Sequence, residues 1–173
     1  MSQWRARFAK FRDLPAVVDI YNASIPGRLA TADTEPVTVE QRTPWFRDFD
    51  PARRPLWVAE GDDGRVRGWL SLRSFYGRPA YAATVEVAVY VAPQAQRQGL
   101  ARGLLEHAIR SANSLKIKTF LAFVFAHNVP SVTLFERAGF QRWGLLPRIA
   151  ELDGLERDLA ILGRRVDAAG GCA

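Results

Sequence analysis

The 173-residue sequence predicts one mixed α/β domain, and three observations carry that reading. Strand-type and helix-type patterns follow one another in the order β-α-α-β-β-β-α-β-α-β-β, without an internal repeat or a low-complexity linker. Val85, Val87, Val89 and Val91 alternate with Glu86, Ala88 and Tyr90, the period of a strand with one apolar face. Thr119 to Ala126 is an uninterrupted apolar run, as expected of a central strand buried on both faces.

Each element has a local cause. Trp4 to Phe8 is short, aromatic and alternating, and reads as the first strand. Asp13 is placed as the N-cap of a first helix, with Pro15 in the first turn where its missing N–H costs little. Ala16, Val17, Ile20 and Tyr21 recur at helical spacing to about Ala23. Turn-rich stretches at Ile25–Arg28 and Thr31–Pro36 follow. Thr38 and Gln41 form a capping-box pattern that opens a second helix, closed near Phe49 by Asp50-Pro51.

Leu56–Glu60 and Val66–Phe75 read as strands joined through Gly61-Asp62-Asp63-Gly64, a hairpin signal. The strand Ala82–Val91 comes after the loop Gly77-Arg78-Pro79 and is closed by Pro93. Leu104, Leu105, Ala108 and Ile109 belong to a third helix entered at Gly99. Asn128 caps a fourth, containing Val132, Leu134, Phe135 and Ala138 and stopped at Gly139. Phe140–Leu145 and Leu155–Leu162 give the last two strands.

Composition narrows the function. With 48% hydrophobic and 24% charged residues, the chain is neither disordered nor collagen-like. A domain of this length buries roughly 70% of its unfolded surface, so it folds without a metal or a disulfide. The longest strongly apolar run, Phe120–Ala126, falls far short of the about 20 residues a transmembrane helix needs. The N-terminus MSQWRARFAKFRD has scattered charges and lacks an apolar core, so it is not a signal peptide. The only cysteine, Cys172, lies in the tail AAGGCA, which excludes a disulfide framework and a cysteine metal site and fits a reducing cytoplasm. Two histidines, His107 and His127, are too few for most His-centred metal sites, and no metal is expected. Residues 1–165 are expected to form the domain and 166–173 a flexible tail.

The net charge of +6 and a pI near 10.1 admit a nucleic-acid binder, a site for a small anionic cofactor, or mere background. Val89 to Arg102 bears on that choice. It runs from a strand through a proline stop and a short basic loop into a helix that starts at Gly99. A helix N-terminus has unpartnered N–H groups and the positive dipole end, and Gly99 lets backbone approach a ligand. With Arg97 and Arg102 the unit suits a pyrophosphate. It has neither the Gly-Lys-Ser/Thr of a Walker loop nor the Gly-x-Gly-x-x-Gly of a dinucleotide fold. A plain connecting loop with two solvent-facing arginines would look the same.

These residues carry a resemblance. Gln96-Arg97-Gln98-Gly99-Leu100-Ala101 resembles the acetyl-CoA motif of the GNAT-superfamily acetyltransferases, and Asn128 to Phe140 resembles their second cofactor segment. Ile20-Tyr21-Asn22, Thr31 to Pro36, Trp45-Phe46, Ala80-Tyr81 and Thr84-Val85-Glu86 narrow the likeness to the phosphinothricin N-acetyltransferase-like branch. It spans about Phe8 to Leu162.

The resemblance implies the GNAT fold, a mostly antiparallel sheet of about seven strands splayed at the cofactor and flanked by about four helices. It also implies transfer of an acetyl group from acetyl-CoA to the primary amine of a small amino-acid-like substrate, by direct attack. In that scheme the backbone of Val89, Tyr90 and Val91 would pair with the pantetheine arm, and a backbone N–H near Val89 would polarise the thioester carbonyl. Arg97, Gln98, Gly99, Leu100, Ala101 and Arg102 would hold the pyrophosphate, and Asn128 and Ser131 would touch the cofactor near its thioester. Glu86 would be the general base, and partial burial beside the cleft would raise its pKa. Arg73 or Arg78 would clamp a substrate carboxylate, with Tyr81 and Thr84 in the same pocket. A homodimer is the family-level expectation.

Three positions depart from the family's pattern. Phe135 stands where the family usually has a Tyr or His proposed to protonate the leaving thiolate. Ala32 stands where Phe is frequent in the acceptor pocket. Ala150 to Asp158 replaces a Gly-rich basic stretch while keeping Asp158. His107 is read as a surface residue, His127 as shaping a strand end, and Trp45, Trp57, Trp69 and Trp143 as core or interface. The alternatives are acetylation of a protein N-terminus or lysine, a non-catalytic acyl-CoA-binding module, and a basic nucleic-acid-binding module. No reader motif or aromatic-basic stripe supports the last, so the charge points to a small anionic cofactor rather than a polyanion.

Overall fold

In the computed structural model the described residues are 4–166, so the tail that carries Cys172 lies outside them. Seven strands form one sheet in the order β1-β2-β3-β4-β5-β7-β6. They are β1 (Trp4–Phe8), β2 (Leu56–Gly61), β3 (Val66–Ser74), β4 (Thr84–Val91), β5 (Thr119–Phe125), β6 (Gln141–Leu152) and β7 (Leu155–Arg165). Every neighbouring pair is antiparallel except β4 with β5. The helices are α1 (Leu14–Asn22), α2 (Val39–Arg47), α3 (Leu100–Arg110) and α4 (Val129–Arg137).

Period-2 alternation sorts side chains onto two faces. Leu70, Leu72, Val85, Val87 and Phe120 share one face and are buried in the core. It is covered by α3, whose His107 meets the Trp57 ring edge-on at 5.0 Å, and by α4, whose Phe135 packs on Phe140. Trp69, Ser71 and Arg73 of β3 pair with Tyr90, Ala88 and Glu86 of β4 on the opposite face. There α1 and α2 form the lid, and the Trp69 indole N–H donates to the Val17 carbonyl at 3.0 Å. Thr119–Phe125 is the interior strand its apolar run predicts, paired along its whole length with β7 and over Thr119–Leu121 with β4.

Local signals explain most boundaries. Thr38 and Gln41 exchange both bonds of the capping box, Gln41 N–H to Thr38 Oγ1 at 3.2 Å and Thr38 N–H to Gln41 Oε1 at 2.8 Å. Asn128 caps α4 by accepting the Ser131 N–H at 3.2 Å. Asp13 differs from expectation. It stands in front of α1 in a helical conformation and caps nothing there; its carboxylate accepts the Lys10 N–H at 2.7 Å and both Nη atoms of Arg7. The ion pair with half-buried Arg7 outcompetes the cap.

The last hairpin is longer than Phe140–Leu145 and Leu155–Leu162 predicted, with β6 reaching Leu152 and β7 reaching Arg165. The missed signal is Asp153-Gly154, whose φ angles of 52° and 77° make the tight turn that matches strand twist. A bulge at Pro147-Arg148 interrupts β6 without ending it, because the Arg148 N–H finds the Asp158 carboxylate at 2.7 Å. Asp158 therefore has a structural bond of its own.

Candidate active site

Between α1, α2 and the sheet lies a pocket of about 130 Å³. Aromatic rings wall it. Trp69 and Tyr90, paired across β3 and β4, stack at 4.6 Å; Tyr21 meets Tyr90 edge-on at 5.2 Å, and Trp45 meets Trp69 at 5.7 Å. Two of these, Trp45 and Trp69, were assigned by sequence to core or interface; Trp69 is a core residue and Trp45 packs against the core, and both also wall the pocket. A helix and a strand distant in sequence bring them together, which residue spacing does not reveal.

The charged groups in this pocket are Arg42, Arg73 and Glu86. Arg73 and Glu86 are direct cross-strand partners on one sheet face. Glu86 opens to solvent at the pocket's rim, yet the surrounding protein raises its pKa by desolvating the carboxylate, and the Arg73 charge offsets part of that rise. The expected direction of the shift thus holds. Arg78, Tyr81 and Thr84 do not line the pocket. Arg78 precedes a 3-10 turn at Pro79–Tyr81, and Tyr81 packs edge-on against Phe75 at 5.4 Å. Thr84 starts β4 opposite Thr119, two residues short of Glu86.

Arg42 was not singled out by the sequence, although its partners Tyr21, Asp33 and Trp45 lie in segments that carry the family resemblance. Its guanidinium carbon lies 4.6 Å from the Tyr21 ring centroid and 5.7 Å from that of Trp45. Its Nη2 donates to Asp33 Oδ2 at 2.9 Å, and the Tyr21 hydroxyl donates to the same oxygen. Having given its proton to Asp33, the Tyr21 oxygen accepts from the Thr31 hydroxyl. Burial, with the Asp33 carboxylate adding to it, pushes the Tyr21 pKa upward, and burial does the same for Tyr90. Both phenols are held neutral.

The loop carrying Asp33 is fastened at successive residues. His127 Nε2 donates to the Arg28 carbonyl at 2.9 Å, Asn128 Nδ2 to the Leu29 carbonyl at 3.0 Å, and the Tyr90 hydroxyl to the Ala30 carbonyl at 2.9 Å. Asn128, expected to touch a cofactor, thus spends its amide on a helix cap and this loop. His127, read from sequence as shaping a strand end, is bonded to this loop.

Beside the pocket, the sheet opens. The β4–β5 pairing covers only Thr84–Thr119, Val85–Phe120 and Glu86–Leu121, so beyond Glu86 the two parallel strands separate. Val89, Tyr90 and Val91 remain bonded to β3 and present their other edge to the gap. At the end of β4, Arg97 and Gly99 both adopt the left-handed conformation, with φ of 60° and 80°, and α3 begins at Leu100. A Cβ added at Gly99 would meet nothing within 4 Å, so the glycine serves the turn and leaves open space before the helix N-terminus. The N–H groups of Leu100, Ala101 and Arg102 sit in the first turn, without intrahelical acceptors. This cradle fits a pyrophosphate in shape and polarity.

Side chains there depart from the expectation. Leu100 is buried in the core, so only its backbone faces the gap. Arg102 bonds Glu106 one turn on at 2.7 Å, and Gln98 Nε2 donates to the Gln94 carbonyl at 3.1 Å. Arg97 is exposed, and Ser131 is half-buried in the first turn of α4. His107, read as a surface residue, is half-buried against Trp57, and its burial lowers its pKa.

Residues 14–140 match the acetyltransferase (GNAT) family. The chain belongs to the GNAT acetyltransferases. It is 51% identical over 160 residues to the Bacillus subtilis (strain 168) protein YwnH, whose name marks it as a candidate phosphinothricin acetyltransferase. That match covers 92% of this chain and 98% of its relative. The L-methionine sulfoximine/L-methionine sulfone acetyltransferase of Pseudomonas aeruginosa (PAO1) is 29% identical over 161 residues, covering 93% and 94% of the two chains. Among solved structures, a GNAT phosphinothricin acetyltransferase from Sinorhizobium meliloti in complex with acetyl-CoA superposes with a TM-score of 0.89. Its identity is 25%, with 96% of this chain and 89% of that chain covered.

The seven-stranded, mostly antiparallel sheet with four helices is the GNAT fold, and the protein is an acetyl-CoA-dependent N-acetyltransferase. Phe135, at the position where the resemblance places a proton donor, is core: it is 3% exposed and packed edge-on against Phe140 at 5.0 Å. Among the described residues no helix is long and apolar enough to cross a membrane.

Proposed function

We propose that this acetyltransferase acetylates the α-amine of a small amino-acid-like substrate, with Glu86 as general base and Arg73 as the carboxylate clamp. The observation that carries the reading is the Arg73–Glu86 pair on one face of an aromatic-walled pocket, at the point where β4 and β5 part. An amino-acid head group offers an ammonium and a carboxylate on one carbon, the mirror of that pair. Relatives named for phosphinothricin and for methionine sulfoximine and sulfone handle such head groups.

In this reading Glu86 accepts the ammonium proton, directly or through water, and its raised pKa brings it nearer to the amine's own affinity for the proton. Bound acetyl-CoA supplies an activated thioester carbonyl as the acyl donor. The N–H groups of Leu100, Ala101 and Arg102, with Gly99 before them and Arg97 beside them, hold the pyrophosphate at the helix N-terminus. The free edge of Val89–Val91 lines up the pantetheine arm as an added strand, and an N–H near Val89 stabilises charge on the carbonyl oxygen. Ser131 at the start of α4 flanks the arm. No metal takes part, and nucleic acid is not a substrate.

The enzyme works in the cytoplasm as a homodimer. The exposed apolar side chains Trp143, Leu145, Ile149 and Leu155 of the last hairpin support the dimer. Light scattering of the purified protein measures it.

Incubation with acetyl-CoA and a panel of amino acids, read by free thiol release, tests the function. Release is expected with at least one amino-acid-like amine, and none above the uncatalysed rate for any amine rejects the reading. Glu86→Gln is expected to lower kcat roughly a hundredfold or more while acetyl-CoA affinity stays close to wild type. Unchanged turnover would remove Glu86 from the mechanism.

A further inference from the structure

We propose that Asp33 cancels the charge of Arg42 in the substrate pocket, so that the enzyme selects amino acids with uncharged side chains over anionic ones. The inference rests on the amino-acid reading of the pocket and concerns the part of it that Arg73 and Glu86 do not occupy. With the head group on that pair, the substrate side chain extends along Tyr21, Trp45, Trp69 and Tyr90, where Arg42 is the remaining charged lining residue.

An unaccompanied guanidinium among aromatic rings would be a strong receptor for a carboxylate or phosphinate, which it can grip with two parallel N–H bonds. Arg42 is not unaccompanied. Its Nη2 is given to Asp33 Oδ2 at 2.9 Å, and the rings of Tyr21 and Trp45 hold the guanidinium in place. Asp33 is not free to swing aside either. The Tyr21 hydroxyl donates to its carboxylate, and its own N–H is bonded to Thr31 Oγ1 at 3.1 Å. Just ahead of it, three successive carbonyls of the loop are fastened by His127, Asn128 and Tyr90. An anionic side chain entering here meets a neutralised cation and, beside it, a fixed carboxylate that repels it. An uncharged sulfone or thioether meets aromatic faces and no such penalty.

The test uses the full chain and two probes with identical head groups, L-methionine sulfone (uncharged) and L-glutamate (anionic). Binding to the CoA-loaded protein is measured by calorimetry, and kcat/KM by thiol release. Wild type is expected to favour the sulfone by up to about fivefold, the upper range for a partly exposed charge pair. Asp33→Asn is expected to raise the glutamate-to-sulfone ratio about fivefold, and the gain should shrink at high salt. Arg42→Met, which keeps the Tyr21–Asp33 bond, is expected to move the ratio the opposite way.

These opposed signs separate a charge effect from a loosened loop, which would weaken both probes alike. An unchanged ratio in both variants overturns the proposal. So does an equal gain for both probes in Asp33→Asn, which would mean that Arg42 reads the common carboxylate. If wild type neither binds nor turns over any amino acid, the amino-acid reading fails first, before any variant is made, and this inference fails with it.

Discussion

At Glu86 two influences oppose each other: the surrounding protein disfavours the charged carboxylate, and the Arg73 guanidinium across the strand favours it. The first is larger, so the folded pKa is raised. A general base works only when deprotonated, so turnover should fall as pH drops through a value above the ordinary carboxylate range. Replacing Arg73 by Met removes the opposing charge and should shift this acid limb of the pH–rate profile further upward. A limb that stays put in both Arg73→Met and Glu86→Gln would assign it to another group. Phe135 poses the complementary question. Because its ring is enclosed with Phe140, Phe135→Tyr would bury a hydroxyl in the core, costing about 1–3 kcal/mol if it finds no partner. The expected result is a lower thermal midpoint without any rise in kcat. A faster enzyme would show that the hydroxyl reaches the leaving thiolate.

On the level of elements, the turn into α3 depends on backbone conformation more than on side chains. Gly99 holds φ of 80°, which an L-residue adopts at a cost of about 1–2 kcal/mol. Since open space lies before it, Gly99→Ala introduces strain but no clash. Acetyl-CoA affinity should drop about tenfold, measured by calorimetry, with the fold retained. An unaltered affinity would mean that the turn is not part of the cofactor cradle. Legibility differs between such elements. The capping box of α2, the valine alternation and the Gly-containing loop are written in neighbouring residues, so local chemistry alone reveals them. The true length of β6 was hidden by Pro147, whose usual strand-ending effect is overridden by the bond between Arg148 and Asp158.

Across the whole molecule, β1 and β2 and the start of α1 are joined by one ionic network. Arg7 grips Asp13 with two bonds of 2.7 and 2.9 Å and Glu60 with one of 2.8 Å, while Arg5 adds a second cation to Glu60. Burial pushes Asp13 upward, but the bonds from Arg7 and the Lys10 N–H outweigh it and leave its pKa lowered. The hydrogen bonds from Arg7 and Arg5 take Glu60 down to about 2. Both carboxylates bind protons less readily folded than unfolded, so they stabilise the fold fully above their ordinary values of 3.8 and 4.5. That stabilisation is lost as pH falls towards about 2. Glu60→Gln should lower the thermal midpoint at pH 7, and the gap from wild type should close on acidification through this window. A gap independent of pH would mean that shape rather than charge matters at Glu60.

By itself the sequence determined the element order, the central apolar strand, the caps of α2 and α4, the glycine turn into α3 and the place of Glu86 on its strand. Each of these depends on interactions over a few residues, or on the two-residue period that assigns a strand's faces. Only the tertiary structure decided that Trp45 and Trp69 wall a pocket, that Arg42 in its lining is paired with Asp33, and that Asn128 fastens the loop carrying Asp33. Those pairings join α1, α2, β3, β4 and the entry to α4, and no local pattern encodes which distant side chains share a cavity. The positive charge divides in the same way. Its sign is legible in composition, but packing decides which arginines face the gap between β4 and β5 and which, like Arg7 and Arg42, are already answered by a carboxylate.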